Sequence, residues 1–88
     1  MGLAKYETVT VSAQTTITLL TGYAFAETAG TTATVTLKDG GSSGAVINQI
    51  NLAANESVRD DFSAPIKTTV GPIYVTVSGT QTGALYGS

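Results

Sequence analysis

The segment "KDGGSSG", Lys38 to Gly44, gathers a cation, an acid, two hydroxyls and three glycines in seven residues. Such a stretch could cradle a phosphate. A phosphate loop needs G-x-x-x-x-G-K-[ST] running into a helix, so that helix N–H groups and the lysine converge on the anion. Here Lys38 precedes the glycines, and "AVINQI" follows with the alternation of a strand. The dinucleotide fingerprint fails for the same reason. The segment is expected to be a strand-to-strand loop in which Asp39-Gly40-Gly41 supplies positive φ.

Asp39, Glu56, Asp60 and Asp61 are hard oxygen donors of the kind calcium takes. Nothing matches D-x-[DN]-x-[DN]-G, and adjacent Asp60 and Asp61 in a strand would point to opposite faces. No metal site is expected. One of the two acids should face solvent, and the other should cap or pair with Arg59 or Lys67. Histidine and cysteine are absent from the sequence. The commonest general base and the strongest side-chain nucleophile are therefore missing. Ser42 and Ser43 have no evident base, and a two-carboxylate hydrolase needs a cleft that so short a chain hardly has room for. No catalytic residue and no cofactor are expected, and the chain reads as a non-enzyme.

Composition limits the partners. Of 88 residues, only 11% are charged and the net charge is −2, against about 25% charged in an average domain. The four cations, Lys5, Lys38, Arg59 and Lys67, are scattered, so nucleic acid is not an expected partner. No run approaches the ~18 apolar residues of a spanning helix, and "MGLAKYET" carries no secretory signal pattern. A membrane partner is not expected. Thr, Ser, Asn and Gln must form most of the polar surface, which suits strands and contact with other protein.

The elements that would position these residues follow a period of two. "ETVTVSA" puts Val9 and Val11 on one face, and "TTITLL" puts Ile17 with Leu19. "GYAFAET" pairs Tyr23 with Phe25, and "TATVTLK" sets Ala33, Val35 and Leu37 against Thr34 and Thr36. "AVINQINL" aligns Val46, Asn48, Ile50 and Leu52, with Ile47 opposite. "ESVRDDF" aligns Val58, Asp60 and Phe62. "PIYVTVSG" aligns Ile73, Val75 and Val77, with Tyr74 on the other face. "GALYG" turns Leu85 or Tyr86 inward. "AANES" reads as a turn with Asn55 left-handed. "SAPIKTT" is the best helix candidate, and its Pro and Thr argue against a helix. The expected fold is all-β: a single small antiparallel β-sandwich, or a jelly-roll-like barrel, of about eight short strands. Residues 1–6 are expected to form an N-terminal arm and residues 7–88 the sandwich.

The run from "ATVTLKDGGSSGAVINQINLAANESVRDDF" to "GPIYVTVSGT", with "TVTVSA" and "TLLTGYAFAET" upstream, resembles small β-rich proteins encoded among the structural genes of tailed bacteriophages. The resemblance covers most of the chain. It implies a virion component of the head decoration, or capsid cement, type. Such a protein binds the capsid exterior, after synthesis in the host cytoplasm, and stabilises the shell. The implied partner is the major capsid protein. Clustering as a homo-oligomer, a trimer or dimer at a capsid symmetry axis, would let one small interface act several times. Candidate capsid or subunit contacts are Leu3, Lys5 and Tyr6 in the arm, Lys38 and Asp39 in the loop, and Tyr86 near the C-terminus. Deleting the arm is expected to weaken capsid binding and leave the fold intact. The alternative is a head-fibre or tail-associated adhesin for host glycan, with Tyr74 and Gln81 as its modest candidates.

Overall fold

The structure, a computed structural model, describes residues 5–88. They form eight strands: β1 (Lys5–Thr8), β2 (Ala13–Gln14), β3 (Leu19–Glu27), β4 (Ala33–Asp39), β5 (Val46–Leu52), β6 (Ser57–Lys67), β7 (Ile73–Ser78) and β8 (Gln81–Gly87). All pairings are antiparallel. One sheet has the order β1-β8-β3-β6 and the other β2-β7-β4-β5. Among the described residues the sheets face each other as a sandwich and do not close into a barrel.

The pairs β1·β8, β2·β7, β3·β6 and β4·β5 are those of one long hairpin with its tip at the β4–β5 loop. Rolling that ribbon adds β3·β8 and β4·β7. Only the β4–β5 connection stays within a sheet, and every other connection crosses the sandwich. The crossing after β7 is tight, and Gly79 makes it at φ 90°. A Cβ there would lie 2.7 Å from the Thr32 carbonyl oxygen and 2.9 Å from Ala33 Cα.

The core is the inward comb of each strand. Ile17, Leu20, Phe25, Val35, Leu37, Leu52, Ile73, Val75 and Leu85 are all essentially inaccessible to solvent. Tyr23 stacks on Phe25 with ring centroids 5.4 Å apart and meets the edge of Phe62 at 5.8 Å, a geometry favoured by ring quadrupoles. The alternation expected for β4 is the one observed, with Ala33, Val35 and Leu37 inside. Tyr23 and Phe25 share the core, Leu85 rather than Tyr86 points inward, and Asn55 has φ 61°.

Three expectations are corrected. "ETVTVSA" is not one strand. The chain leaves β1 after Thr8 and bends to the other sheet, so Val9 is 3% exposed and Val11 66%. Ile17 and Leu19 do not share a face: Leu20 is buried and Leu19 only half-buried. In β5, Val46 leaves the face of Ile50 and Leu52, because the register with β4 shifts between Leu37 and Lys38. Ile47 packs against the core instead. "SAPIKTT" is no helix, as its Pro and Thr argue: it begins within β6, which runs on through Pro65. Proline is tolerated there because β6 pairs only with β3 and leaves its other edge open.

Candidate functional site

The loop that follows β4 is a connection, and its acid is a structural anchor. The Asp39 carboxylate accepts the Thr69 N–H at 2.9 Å, the Thr69 hydroxyl at 2.8 Å, and the N–H groups of Val70 at 3.0 Å and Gly71 at 3.3 Å. These donors, the Thr69 N–H foremost, hold its pKa down at about 2. Gly40, at φ 91°, donates its N–H to the Pro72 carbonyl. A Cβ on Gly40 would lie 2.6 Å from Val70 Cγ1. Lys38 lies on the outer face of its sheet beside Tyr74, and its Nζ donates to the Ser42 carbonyl at 2.9 Å. Loop 40–45 and turn 69–71 are thereby fastened to each other.

This fastening presents two apolar side chains. Val70 is 80% exposed at the tip of the turn, and Val46 is 60% exposed where the loop enters β5. Around them lie Gly, Ser and Thr with no carboxylate free: the only acid, Asp39, is committed to the turn. The result is a pre-shaped tip at one end of the sandwich, with its Lys38 and Asp39 charges both hydrogen-bonded within it.

Lys5 belongs to the same end. Its Nζ donates to the Thr16 carbonyl at 3.1 Å, while Glu7 accepts both the N–H and the hydroxyl of Thr16. Two residues on, the Thr18 carbonyl accepts the Thr68 N–H, next to the turn that Asp39 holds. Lys5 and Tyr6, assigned to the arm on sequence grounds, thus lie in β1, paired with Gly87 and Tyr86. Leu3 and the rest of residues 1–4 lie outside the described residues. Tyr6 and Tyr86 form a tilted pair with centroids 5.3 Å apart on the outer face of the first sheet. Beside them is a shallow hollow of about 260 Å³ floored by Ala24, Gly83 and Ala84 and edged by Thr8 and Thr82.

Tyr74 and Gln81 do not form a glycan site. Tyr74 is half-buried between Gln14 and Lys38 on the outside of the second sheet. Gln81 is 1% exposed, and its Nε2 donates to the Val9 carbonyl at 2.9 Å. Its Oε1 has no partner among the described residues. The acids weighed for calcium serve other ends. Asp61 lies 3.8 Å from Arg59 in an exposed pair, a contact worth little in water. Glu56 accepts the Ala53 N–H.

Glu27 escaped sequence reading. Its carboxylate accepts the N–H groups of Ala29, Gly30 and Asn55, each at 2.8 Å, and so ties the β3–β4 crossing to the β5–β6 turn. These bonds, the Asn55 N–H foremost, lower its pKa. A signal was present: Glu27 continues the buried phase of Tyr23 and Phe25, and an acid on that face must find donors.

No protein-family model matches the chain, and no curated protein or solved structure matches it either.

Proposed function

We propose that this chain is a structural virion protein that binds the outer surface of a bacteriophage capsid and stabilises it, with the major capsid protein as its partner. The observation that carries the proposal is the tip formed by loop 40–45 and turn 69–71. Its exposed Val70 is held in place by the four hydrogen bonds from turn 69–71 to Asp39, and its exposed Val46 follows Ala45, whose carbonyl accepts the Asp39 N–H. A docking surface that is ordered before contact loses little entropy on binding. One whose few charges are already hydrogen-bonded within it loses little further hydration. The strand order β1-β8-β3-β6 facing β2-β7-β4-β5 is also that of a jelly roll, an architecture at home in viral shells. Lys38 and Lys5 flank the tip and supply its polar rim, whereas Asp39 acts through the turn. Clustering as a trimer or dimer at a capsid axis would repeat the small contact.

The test is co-sedimentation with capsids built from the major capsid protein of the same virion. Wild-type chain is expected to saturate a fixed number of sites and to raise the temperature at which the shell breaks. The double substitution Val46→Asp, Val70→Asp alters only exposed side chains and should abolish both effects. A wild-type chain that leaves capsids bare would end the proposal.

A second reading, a head-fibre or tail-associated adhesin for host glycan, rests on a different observation. The Tyr6–Tyr86 pair stands at the edge of the 260 Å³ hollow, and exposed aromatic faces stack against sugar rings. Binding on a glycan array that is lost with Tyr6→Ala would favour it. An array without hits would remove it.

A further inference from the structure

When the two sheets are complete, four strand edges are left among the described residues: β1 and β6 in one sheet, β2 and β5 in the other. An open edge carries unpaired N–H and C=O groups and pairs with any extended strand that reaches it, unless something prevents it. Three of the edges carry such a device. β2 is only two residues long. β1 has four residues and contains Lys5 and Glu7. β6 has eleven residues, but among them are Arg59, Asp60, Asp61, Pro65 and Lys67, and its register with β3 breaks between Leu20 and Gly22.

β5 has a register shift of its own, against β4 between Leu37 and Lys38, but it lies at the Val46–Asn48 end of the strand and the other devices are missing. Its seven residues, "VINQINL", contain no charge and no proline. Gln49 and Asn51 are exposed, and Val46 is 60% exposed. The Gln49 N–H is bonded at 2.9 Å to the side-chain oxygen of its neighbour Asn48. It therefore points to the open side, and a bond so local exchanges readily for a partner strand. The Gln49 carbonyl points the same way by the geometry of an antiparallel ladder.

We propose that the β5 edge is where two copies of this chain associate, by antiparallel β5–β5 pairing about a twofold axis at Gln49. The two four-stranded sheets then become one continuous sheet. A twofold contact requires the edge to match itself at the axis, and Gln49 can do so. The axis sets Gln49 against Gln49 of the second copy, and Asn48 against Ile50. An amide carries both donor and acceptor, so it can bond an identical amide. A charged residue at the axis would instead meet its own like charge. An 88-residue chain with a thin core also gains from the added burial.

The inference names the surface behind the expected homo-oligomer, and its test uses no capsid. Its failure is therefore separate from that of the capsid reading. Sedimentation velocity of the full chain over a range of concentrations is expected to give a reversible monomer–dimer equilibrium. The Gln49 and Asn51 amides should become more slowly exchanging with deuterium as concentration rises. Gln49→Lys places two like charges at the axis. Gln49→Pro deletes an N–H that faces away from β4. Each should weaken association by about tenfold or more, with the melting curve of dilute protein unchanged. Thr10→Lys, which adds the same charge to an exposed loop, should leave association as it was. A wild-type chain that stays monomeric throughout would overturn the proposal. So would a dimer indifferent to both Gln49 substitutions, which must use another surface.

Discussion

Val9 and Val11 have the same side chain, two residues apart, in a run that alternates as a single strand would. On strand periodicity alone, truncating either should cost the same. The fold separates them, because the chain turns from one sheet to the other at this point: Val9 is 3% exposed and Val11 66%. Val9→Ala removes two methyl groups' worth of buried hydrocarbon. At about 0.8 kcal/mol for each, with a cavity contribution of similar size, the loss is roughly 2–3 kcal/mol. Val11→Ala should stay within about 0.5 kcal/mol of wild type. For a domain of this length each kcal/mol shifts Tm by about 4–8 °C, so Val9→Ala should melt about 10–20 °C lower. The Val9 N–H to Gly83 carbonyl bond and the Gln81 to Val9 carbonyl bond involve backbone groups of residue 9 and survive the change. The assay is thermal melting together with urea titration of both variants, with an unchanged urea slope required for Val9→Ala. Equal losses for the two variants would refute the bend between β1 and β2.

Other outcomes follow from the loop anchors and the crossings. Asp39 and Glu27 both have lowered folded-state pKa values. Their stabilisation is present above the unfolded carboxylate range and is lost as pH falls through the folded values. Tm should thus drop between about pH 5 and pH 2, and Asp39→Asn with Glu27→Gln should flatten that dependence while lowering Tm at neutral pH. A wild-type Tm that is level across this range would contradict the anchor role. Gly79→Ala should cost about 1–3 kcal/mol in urea titration, since it combines a left-handed φ with contacts at 2.7 and 2.9 Å. Deleting residues 1–6 removes Lys5 and Tyr6 from β1. It should lower Tm, against the expectation that the arm is dispensable to the fold.

Much of this molecule was legible because half-buried strands write their faces into alternate residues. Ala33, Val35 and Leu37, Tyr23 with Phe25, and Ile73 with Val75 were readable as core, and their burial follows that phase. The "KDGGSSG" segment was readable as a connection because no helix follows it. Alternation fails where the chain crosses between sheets or slips register. At Thr8–Ala13 the crossing ends one strand and starts another. At Val46 a shift against β4 turns one residue outward. Both depend on where a distant strand lies, and local periodicity carries no trace of that.

The candidate contacts divide the same way. Sequence singled out Lys5, Tyr6, Lys38, Asp39 and Tyr86 by type and position. Tyr6 and Tyr86 are eighty residues apart and become cross-strand neighbours only through the β1–β8 pairing. Asp39 changes role altogether, from a loop acid to the anchor of turn 69–71. By itself the sequence determined an all-β chain with a sparse charge and an apolar phase on each strand, since composition and period are local properties. Tertiary structure alone decided which strands pair, which edges stay open and which side chains stand at the tip. Those outcomes arise from contacts between residues far apart along the chain, and they exist only once the long hairpin has been rolled.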